Sequence, residues 1–202
     1  MTSVSLNNLP HWLEFDQRPQ AWRTDGQSLM LTAGPRTDLF LDPQGAVQMT
    51  NAPRLLFKPR NDFMLSARVR VGFGATYDAG VLLVYADETH WAKLCFEYSP
   101  QQQPMIVSVV NKDTSDDCNS IIYPSEQVYL RVSGLNGAQQ GFAFHYSHDA
   151  VYWHLVRYFS LGKEIDARVG FSAQSPTGEV CQAIFDQIAY APTRLGDLRS
   201  GE

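Results

Sequence analysis

One segment of the sequence places an indole, an ammonium group and a carboxylate at alternate positions. Residues 91–98 alternate between two kinds of side chain, and Trp91, Lys93 and Glu97 fall on the same side of that alternation. Because a β-strand turns successive side chains to opposite faces, these three groups would share one face. An indole stacks on the apolar face of a sugar ring, and charged groups bind its hydroxyls. The pattern predicts the floor of a ligand groove, although a ladder of cross-strand ion pairs would produce the same pattern.

Other polar residues are expected to join this groove from neighbouring segments. Tyr77 and Asp78 precede a buried apolar run, so Asp78 either projects into the groove or binds its own backbone in a turn. Strand alternation also assigns Arg131, Ser172 and Gln174 to the groove face. Together with the three residues above and the segment described next, these form the predicted ligand-binding set.

A third segment, residues 115–120, is dense in oxygen atoms and is expected to form a loop at the rim. Its ligand-binding candidates are Asp116, Asp117 and Asn119. Ca²⁺ takes six to eight oxygen ligands, often from loop carboxylates, but the segment lacks the spacing of an EF-hand. A calcium site, contacts to a carbohydrate and a plain solvated loop therefore stay open as alternatives. No other metal and no cofactor is predicted.

The sequence carries no recognisable catalytic motif. Glycoside hydrolysis requires two carboxyl groups flanking the scissile bond, and the nearest string, Glu14-Phe-Asp16, lacks a further acid. Cys118 lies beside two aspartates, which disfavour its thiolate, and Cys95 is expected to fill the wall of the sheet. The five histidines show no metal-ligand spacing. No catalytic residue is assigned, and binding is favoured over catalysis.

The elements that must position these residues are strands, because a period of two runs through most of the chain. Nine strands are predicted, at residues 63–71, 81–85, 91–98, 105–111, 128–133, 142–146, 151–158, 167–174 and 184–189. The apolar run at 81–85 is typical of a strand buried on both sides. Many short strands joined by turn residues predict an all-β fold, a two-sheet antiparallel sandwich.

Length and composition predict one domain and limit its partners. The 202 residues are expected to form a single sandwich, with an ordered core from about residue 10 to 192 and a frayed tail at 193–202. The net charge is −5 and the 16 basic residues are scattered, so nucleic acid is not predicted as a partner. The three cysteines are odd in number and widely spaced, which favours a reducing, cytoplasmic location. No apolar run suits a membrane span, and the N-terminal residues do not resemble a signal peptide.

An ordered set of segments resembles the DUF1349 family. The first are Thr-Asp-Leu-Phe at 37–40, Asn-Asp-Phe at 61–63, Tyr-Asp-Ala-Gly-Val at 77–81 and Trp-Ala-Lys-Leu-Cys-Phe-Glu at 91–97. The rest are Ser-Val-Val-Asn at 108–111, Ser-Asp-Asp-Cys-Asn-Ser at 115–120, Tyr-Leu-Arg at 129–131, Trp153 and Val-Gly-Phe-Ser-Ala-Gln-Ser-Pro at 169–176. The resemblance implies a concanavalin A-like jelly roll. It implies no specific activity, although the family includes a yeast protein described as a regulator of enolase.

The sequence thus leads to a hypothesis about function with two alternatives. The leading one is a cytoplasmic binding module that holds a sugar-like or other small polar ligand on a concave sheet face. A protein-interaction module, which would present an exposed apolar patch, is the second. A glycosidase-like hydrolase, which would need a second carboxylate near Glu97, is the third. A homodimer formed through strand edges is also open.

Overall fold

The computed structural model describes residues 3–137, 140–163 and 165–202, and these residues form seventeen β-strands and no helix. The first seven are β1 (Ser3–Val4), β2 (Leu13–Gln17), β3 (Ala21–Thr24), β4 (Leu29–Ala33), β5 (Leu39–Leu41), β6 (Gln48–Thr50) and β7 (Arg54–Phe57). The next five are β8 (Phe63–Gly72), β9 (Ala79–Tyr85), β10 (His90–Tyr98), β11 (Pro104–Lys112) and β12 (Thr114–Ile122). The last five are β13 (Gln127–Leu135), β14 (Gly141–Ser147), β15 (His154–Phe159), β16 (Arg168–Gln174) and β17 (Cys181–Ala191). Within the described ranges, no helix could cross a membrane.

Two antiparallel sheets form the body of the molecule. The larger has eight strands in the order β1-β2-β7-β16-β9-β10-β11-β12, and the smaller has seven in the order β15-β14-β13-β8-β17-β4-β3. Strands β5 and β6 pair only with each other. The predicted two-sheet jelly-roll sandwich is confirmed, and so are the nine predicted strands, with bounds that differ by a few residues. The strand predicted from residue 151 begins at His154, because Asp149 caps a turn by accepting hydrogen bonds from the backbone N–H groups of residues 151 and 152.

The main core lies between the two sheets. Alternate residues of β8 and β10 face this core, and Leu65, Val69, Leu94 and Phe96 are fully buried in it. Across the core the rings of Phe171 and Phe185 lie 5.0 Å apart. Burying each large apolar side chain contributes about 1.5–3 kcal/mol, so this alternation stabilises the sandwich and fixes its register.

A second apolar cluster lies on the opposite, outer face of the larger sheet. Val81, Leu83 and Trp91 belong to it, together with Leu39 and Ala52 from the N-terminal part of the chain. The prediction that the run at 81–85 is buried on both sides is confirmed, since every residue of β9 is buried. The outer face of this sheet is therefore partly covered by chain rather than open to solvent.

The covering segment is residues 36–52, which we call the strap; it includes the β5–β6 hairpin. Its beginning is joined to the end of β16 by an antiparallel bridge between Thr37 and Ser175. Further along the strap, the backbone N–H of Leu41 donates to Oγ of Ser115 on β12, at 2.9 Å. The strap thus crosses the larger sheet from β16 to the edge strand β12. Leu41 and Ser115, which form the contact at that edge, are 74 residues apart in sequence.

Two expectations about irregular segments do not match the structure. Residues 115–120 were expected to form a loop, but they lie within the edge strand β12, whose backbone pairs with β11 from Met105 to Lys112. Their polar side chains suit an edge position, where one side faces solvent. The last ten residues were expected to fray, but Leu195 is buried and the carbonyl oxygen of Gly201 accepts a 2.7 Å hydrogen bond from Arg131.

We predict that Gly170→Ala destabilises the protein by about 1–3 kcal/mol, the usual cost of overpacking. A Cβ atom at position 170 would collide with the backbone carbonyl oxygen of Leu55 on β7, and a backbone atom cannot move away cheaply. The matched control is Gly72→Ala, where the nearest atom would lie 3.8 Å away. Equilibrium unfolding in urea compares the two variants. Equal midpoints would show that β7 and β16 are not packed as described.

Candidate ligand-binding cleft

A cleft of about 520 Å³ opens on the outer face of the larger sheet, beside the strap. Its volume lies within the range of small-molecule sites. The polar lining residues are Asp38, Lys93, Glu97, Asp117, Asn119 and Gln174, and the others are Phe40, Tyr77, Pro100, Met105, Val107 and Val109. The cleft is therefore formed by strands β10, β11 and β12, by the end of β16 and by the strap.

Strand β10 positions the two charged groups that the sequence singled out. It lies in the middle of the sheet, paired without interruption to β9 on one side and β11 on the other. Lys93 and Glu97 are four residues apart, so they share a face at a spacing of about 13 Å along the strand. Their cross-strand partners on β11 are Val109 and Met105, which form the apolar part of the cleft floor.

The ammonium group of Lys93 is held by two partners inside the cleft. Its Nζ atom lies 2.8 Å from Oδ1 of Asp38 on the strap and 3.0 Å from Oε1 of Gln174 on β16. Only 4% of the Lys93 side chain is exposed. Burial alone would lower the pKa of Lys93, but the neighbouring negative groups, above all Asp38, raise it above its usual value. Lys93 therefore stays charged and is already paired within the protein.

The strap holds Asp38 in place through its own hydrogen bonds. The backbone N–H of Asp38 donates to Oδ1 of Asn51 at 3.0 Å, and its carbonyl oxygen accepts from the N–H groups of Asn51 and Ala52. These contacts close the strap on itself. As a result the carboxylate that neutralises Lys93 comes from a segment with a fixed shape.

The amide of Gln174 links the ammonium group to the carboxyl group of Glu97. Because its Oε1 faces Lys93, its Nε2 points the other way, 3.0 Å from the carbonyl oxygen of Tyr77 and 3.5 Å from Oε2 of Glu97. Both ends of the amide are thereby used. Gln174 orients the network and has little capacity left for a ligand.

Glu97 is an acid of the cleft whose pKa is strongly raised. It is 7% exposed, and burial raises the pKa of its carboxyl group to about 8; Lys93 opposes this rise, while Asp38 and Asp117 add to it. At neutral pH the protonated form therefore dominates. A buried neutral carboxyl group can donate a hydrogen bond or a proton to a ligand in the cleft.

Trp91 does not provide the predicted stacking surface. Its side chain is fully buried in the outer apolar cluster, beside Leu39 of the strap, and its Nε1 donates to the carbonyl oxygen of Glu88 at 3.2 Å. It is on the predicted face, but the strap covers that end of the face. The aromatic groups at the cleft are instead Tyr77, which is 41% exposed, and Phe40.

Asp78 forms a turn, which was the alternative to a place in the groove. Its carboxylate accepts hydrogen bonds from the backbone N–H groups of Gly74 and Ala75 and from Oγ of Ser175, all within 2.9 Å. All of these partners belong to the protein, and Asp78 is fully buried. Its neighbour Tyr77 reaches the cleft and adopts a left-handed backbone conformation, with φ of 69°.

The three candidates on β12 divide between the two faces of that strand. Asp117 and Asn119 line the cleft. Asp116 points to the other side, where Oδ2 accepts a 2.7 Å hydrogen bond from Arg157 on β15. Because a strand separates neighbouring side chains, the oxygen atoms of this segment do not converge, and within the described ranges no three His, Cys, Asp or Glu side chains form a metal-binding group.

Ser172 and Arg131 lie outside the cleft. Ser172 is on the predicted face but is buried beside its β7 partner, Arg54. Arg131 belongs to β13 in the smaller sheet, where its guanidinium group lies 4.2 Å from the ring centroid of Trp153. Alternation identifies the face of a strand but not the sheet that contains it, and for this reason Arg131 was misassigned.

Sequence reasoning missed half of the lining: Asp38, Phe40, Pro100, Met105, Val107 and Val109. The three residues from β11 could have been found, because the same alternation that selects Lys93 selects every second residue of the next strand. Asp38 offers no such local signal. Its contact with Lys93 joins positions 55 residues apart.

The fold and cleft define a β-sandwich protein with one polar, partly covered sheet face. A family model described as protein of unknown function, DUF1349, matches residues 15–193, so the chain belongs to that family. A functionally unknown protein from Saccharomyces cerevisiae has a similar structure, with a TM-score of 0.80 and 20% sequence identity over 93% of this chain and 98% of the yeast chain. A search of curated proteins finds no match.

Two structures of carbohydrate-active proteins are also similar. A GH43 protein from Bacillus licheniformis has a TM-score of 0.70 and 18% identity, covering 90% of this chain but only 37% of its own. An alginate lyase from Pseudomonas aeruginosa has a TM-score of 0.56 and 11% identity, with 87% of each chain covered. At these identities the similarity establishes the fold and leaves the cleft chemistry to be argued from the residues of this chain.

We predict that the stability of the protein relative to Glu97→Gln falls as the pH rises. The folded state binds the Glu97 proton more tightly than the unfolded chain, since the pKa rises from 4.5 to about 8. This stabilisation is complete below about pH 4.5 and is lost progressively up to about pH 8. At 1.36 kcal/mol per pH unit, the loss between pH 5 and pH 8 is on the order of 2–4 kcal/mol.

Urea unfolding of both proteins at pH 5, 6.5 and 8 measures this difference. Glu126→Gln is the matched control, because it makes the same chemical change at an exposed turn. A difference between wild type and Glu97→Gln that stays constant with pH would contradict the assignment of Glu97 as a neutral acid.

Proposed function

We propose that this protein is a binding module that holds a sugar-like small polar ligand in the cleft. The observation that carries the proposal is the network Asp38–Lys93–Gln174–Glu97, which is organised by contacts inside the protein yet lines an open cleft of about 520 Å³. Buried polar groups arranged in this way are costly for stability unless they are well satisfied. A ligand site is a physical reason to keep them there.

The cleft combines the two features that a sugar site needs. Phe40, Tyr77, Pro100 and Met105 supply apolar contact area, while the polar groups would fix the orientation of the ligand. Because the strap and Gln174 already hold the charged groups in place, little ordering would be required on binding. The fold supports the same reading, since similar sandwiches occur in a GH43 protein and in an alginate lyase.

We further propose a reducing, cytoplasmic location. Cys95, Cys118 and Cys181 are all free, and two of them are buried. Free buried thiols are typical of compartments in which disulfides do not persist.

Glycoside hydrolysis is a second candidate function, and it is favoured by the protonation state of Glu97. A general acid with a raised pKa and a second carboxylate in the same site are the two requirements of this reaction. Asp38 and Asp117 line the same cleft as Glu97. An assay for new reducing ends on β- and α-linked oligosaccharides tests it. Activity that is absent from Glu97→Gln would favour the hydrolase, and activity equal in both proteins would exclude Glu97 as the acid.

A thermal-shift screen against neutral mono- and oligosaccharides tests the binding module. A ligand at 100 times its Kd adds about 2.7 kcal/mol, which corresponds to roughly 5–10 °C for a chain of this size. We expect Asn119→Ala to weaken binding about tenfold, because it removes a polar contact, and to leave the ligand-free melting temperature nearly unchanged, because Asn119 is exposed.

Cys118→Ala is the control for this variant, since residue 118 is the next position on β12 and is not part of the cleft lining. Loss of binding in both variants would show that the edge strand, rather than the cleft, is responsible. The absence of a shift with any saccharide would count against the proposal.

A further inference from the structure

The cationic group that lines the cleft is already paired within the protein. Among the described lining residues, only Lys93 carries a positive charge, and it faces Asp38 at 2.8 Å and Gln174 at 3.0 Å. Its side chain is almost completely buried. An anionic ligand would have to compete with Asp38 for this ammonium group, and the strap holds Asp38 in place.

The groups left for a ligand are mainly acceptors. Among the residues that the structure describes, the side chain of Asp117 has no hydrogen-bond partner, and it faces the cleft at its solvent side. Glu97 is more than nine-tenths buried and also lines the cleft. Its Oε2 has one long contact with Gln174, and its Oε1 has no partner among the described residues. The carboxylate of Asp117 binds hydroxyl or ammonium groups of a ligand, and the neutral carboxyl group of Glu97 accepts through its carbonyl oxygen and donates through its O–H.

The charges of the lining also disfavour an anion. Asp38 and Asp117 outweigh Lys93, so the lining carries a net negative charge whether Glu97 is protonated or not. A carboxylate, sulfate or phosphate bound beside Asp117 would meet a like charge without an available counter-ion. At separations of a few ångströms, in a site that is partly shielded from water, such repulsion weakens binding by about 30-fold or more.

We infer that the cleft selects ligands that are neutral or cationic and rich in hydrogen-bond donors, namely neutral or amino sugars, and excludes sugars that carry carboxylate, sulfate or phosphate groups. This inference rests on the proposed function and specifies the class of its ligand. Asp117 is the residue that sets the charge preference. Lys93 serves to hold the network together and does not act as an anion receptor.

The experiment compares matched β-1,4-linked tetrasaccharides that differ in one substituent. Three trios provide neutral, amino and uronate versions of the same sugar: those of glucose, galactose and mannose. Calorimetric titration at pH 7 measures Kd for wild type, Asp117→Asn and Asp117→Lys. Asp116→Asn is the control, because it changes the adjacent carboxylate on the other face of β12.

We expect the neutral or the amino member of at least one trio to bind, and the corresponding uronate to bind at least about 30-fold more weakly. This gap between the affinity for the neutral or amino sugar and the affinity for its uronate narrows in Asp117→Asn, closes or reverses in Asp117→Lys and persists in Asp116→Asn. Added salt reduces any advantage of the amino sugar. This combined result supports the inference.

Three other results are distinguishable from it. Uronate binding that equals or exceeds neutral binding in wild type overturns the inference and leaves the binding module standing. If no member of any trio binds, the proposed function fails, and the inference fails with it. A gap that is unchanged in Asp117→Lys overturns the role of Asp117.

Discussion

The ion pair between Lys93 and Asp38 is the interaction on which the outer face of the larger sheet depends. It joins the central strand β10 to the strap at 2.8 Å, with both side chains largely buried. A buried charge without a counter-ion costs several kcal/mol, so removing either residue would destabilise the protein by leaving the other charge uncompensated. The pair thereby connects the strap to β10. Beyond it, Leu41 and Ser115 anchor the strap at the edge strand.

The strap divides one sheet face into two environments. Under it, Trp91 and Leu39 form part of a dry apolar cluster, whereas Glu97 and Asp117 line an open cleft. The same alternation of β10 serves both parts, since residues 91, 93, 95 and 97 all point to this face. Lys93 lies at the boundary between these two environments. Its positive charge is needed there to neutralise the carboxylate of Asp38, which the strap brings to that point.

Local pattern was sufficient for nine of the described strands, their faces and the two-sheet architecture, because each follows from the period of two. It also selected Lys93, Glu97 and Gln174, which the structure brings into one network. The errors have a common cause. Trp91 was misread because no local pattern shows what covers a face, and Arg131 because none shows which sheet a strand joins. Residues 115–120 were misread because edge strands tolerate the polar residues that are typical of loops.

The arrangement of the charged groups in the cleft explains why the carboxyl group of Glu97 is neutral. Lys93 could have paired with Glu97 on its own strand face, but Asp38 and Gln174 occupy its near contacts, and Gln174 lies between the two charged residues. Glu97 is therefore buried without a direct cation, and the proton replaces one. Since Asp38 comes from the strap, a change in the strap would alter the charge on Glu97 without altering β10. Within this fold, chemistry at the cleft is thus governed by the covering segment as much as by the strands, and proteins that share the sandwich can differ in what they bind.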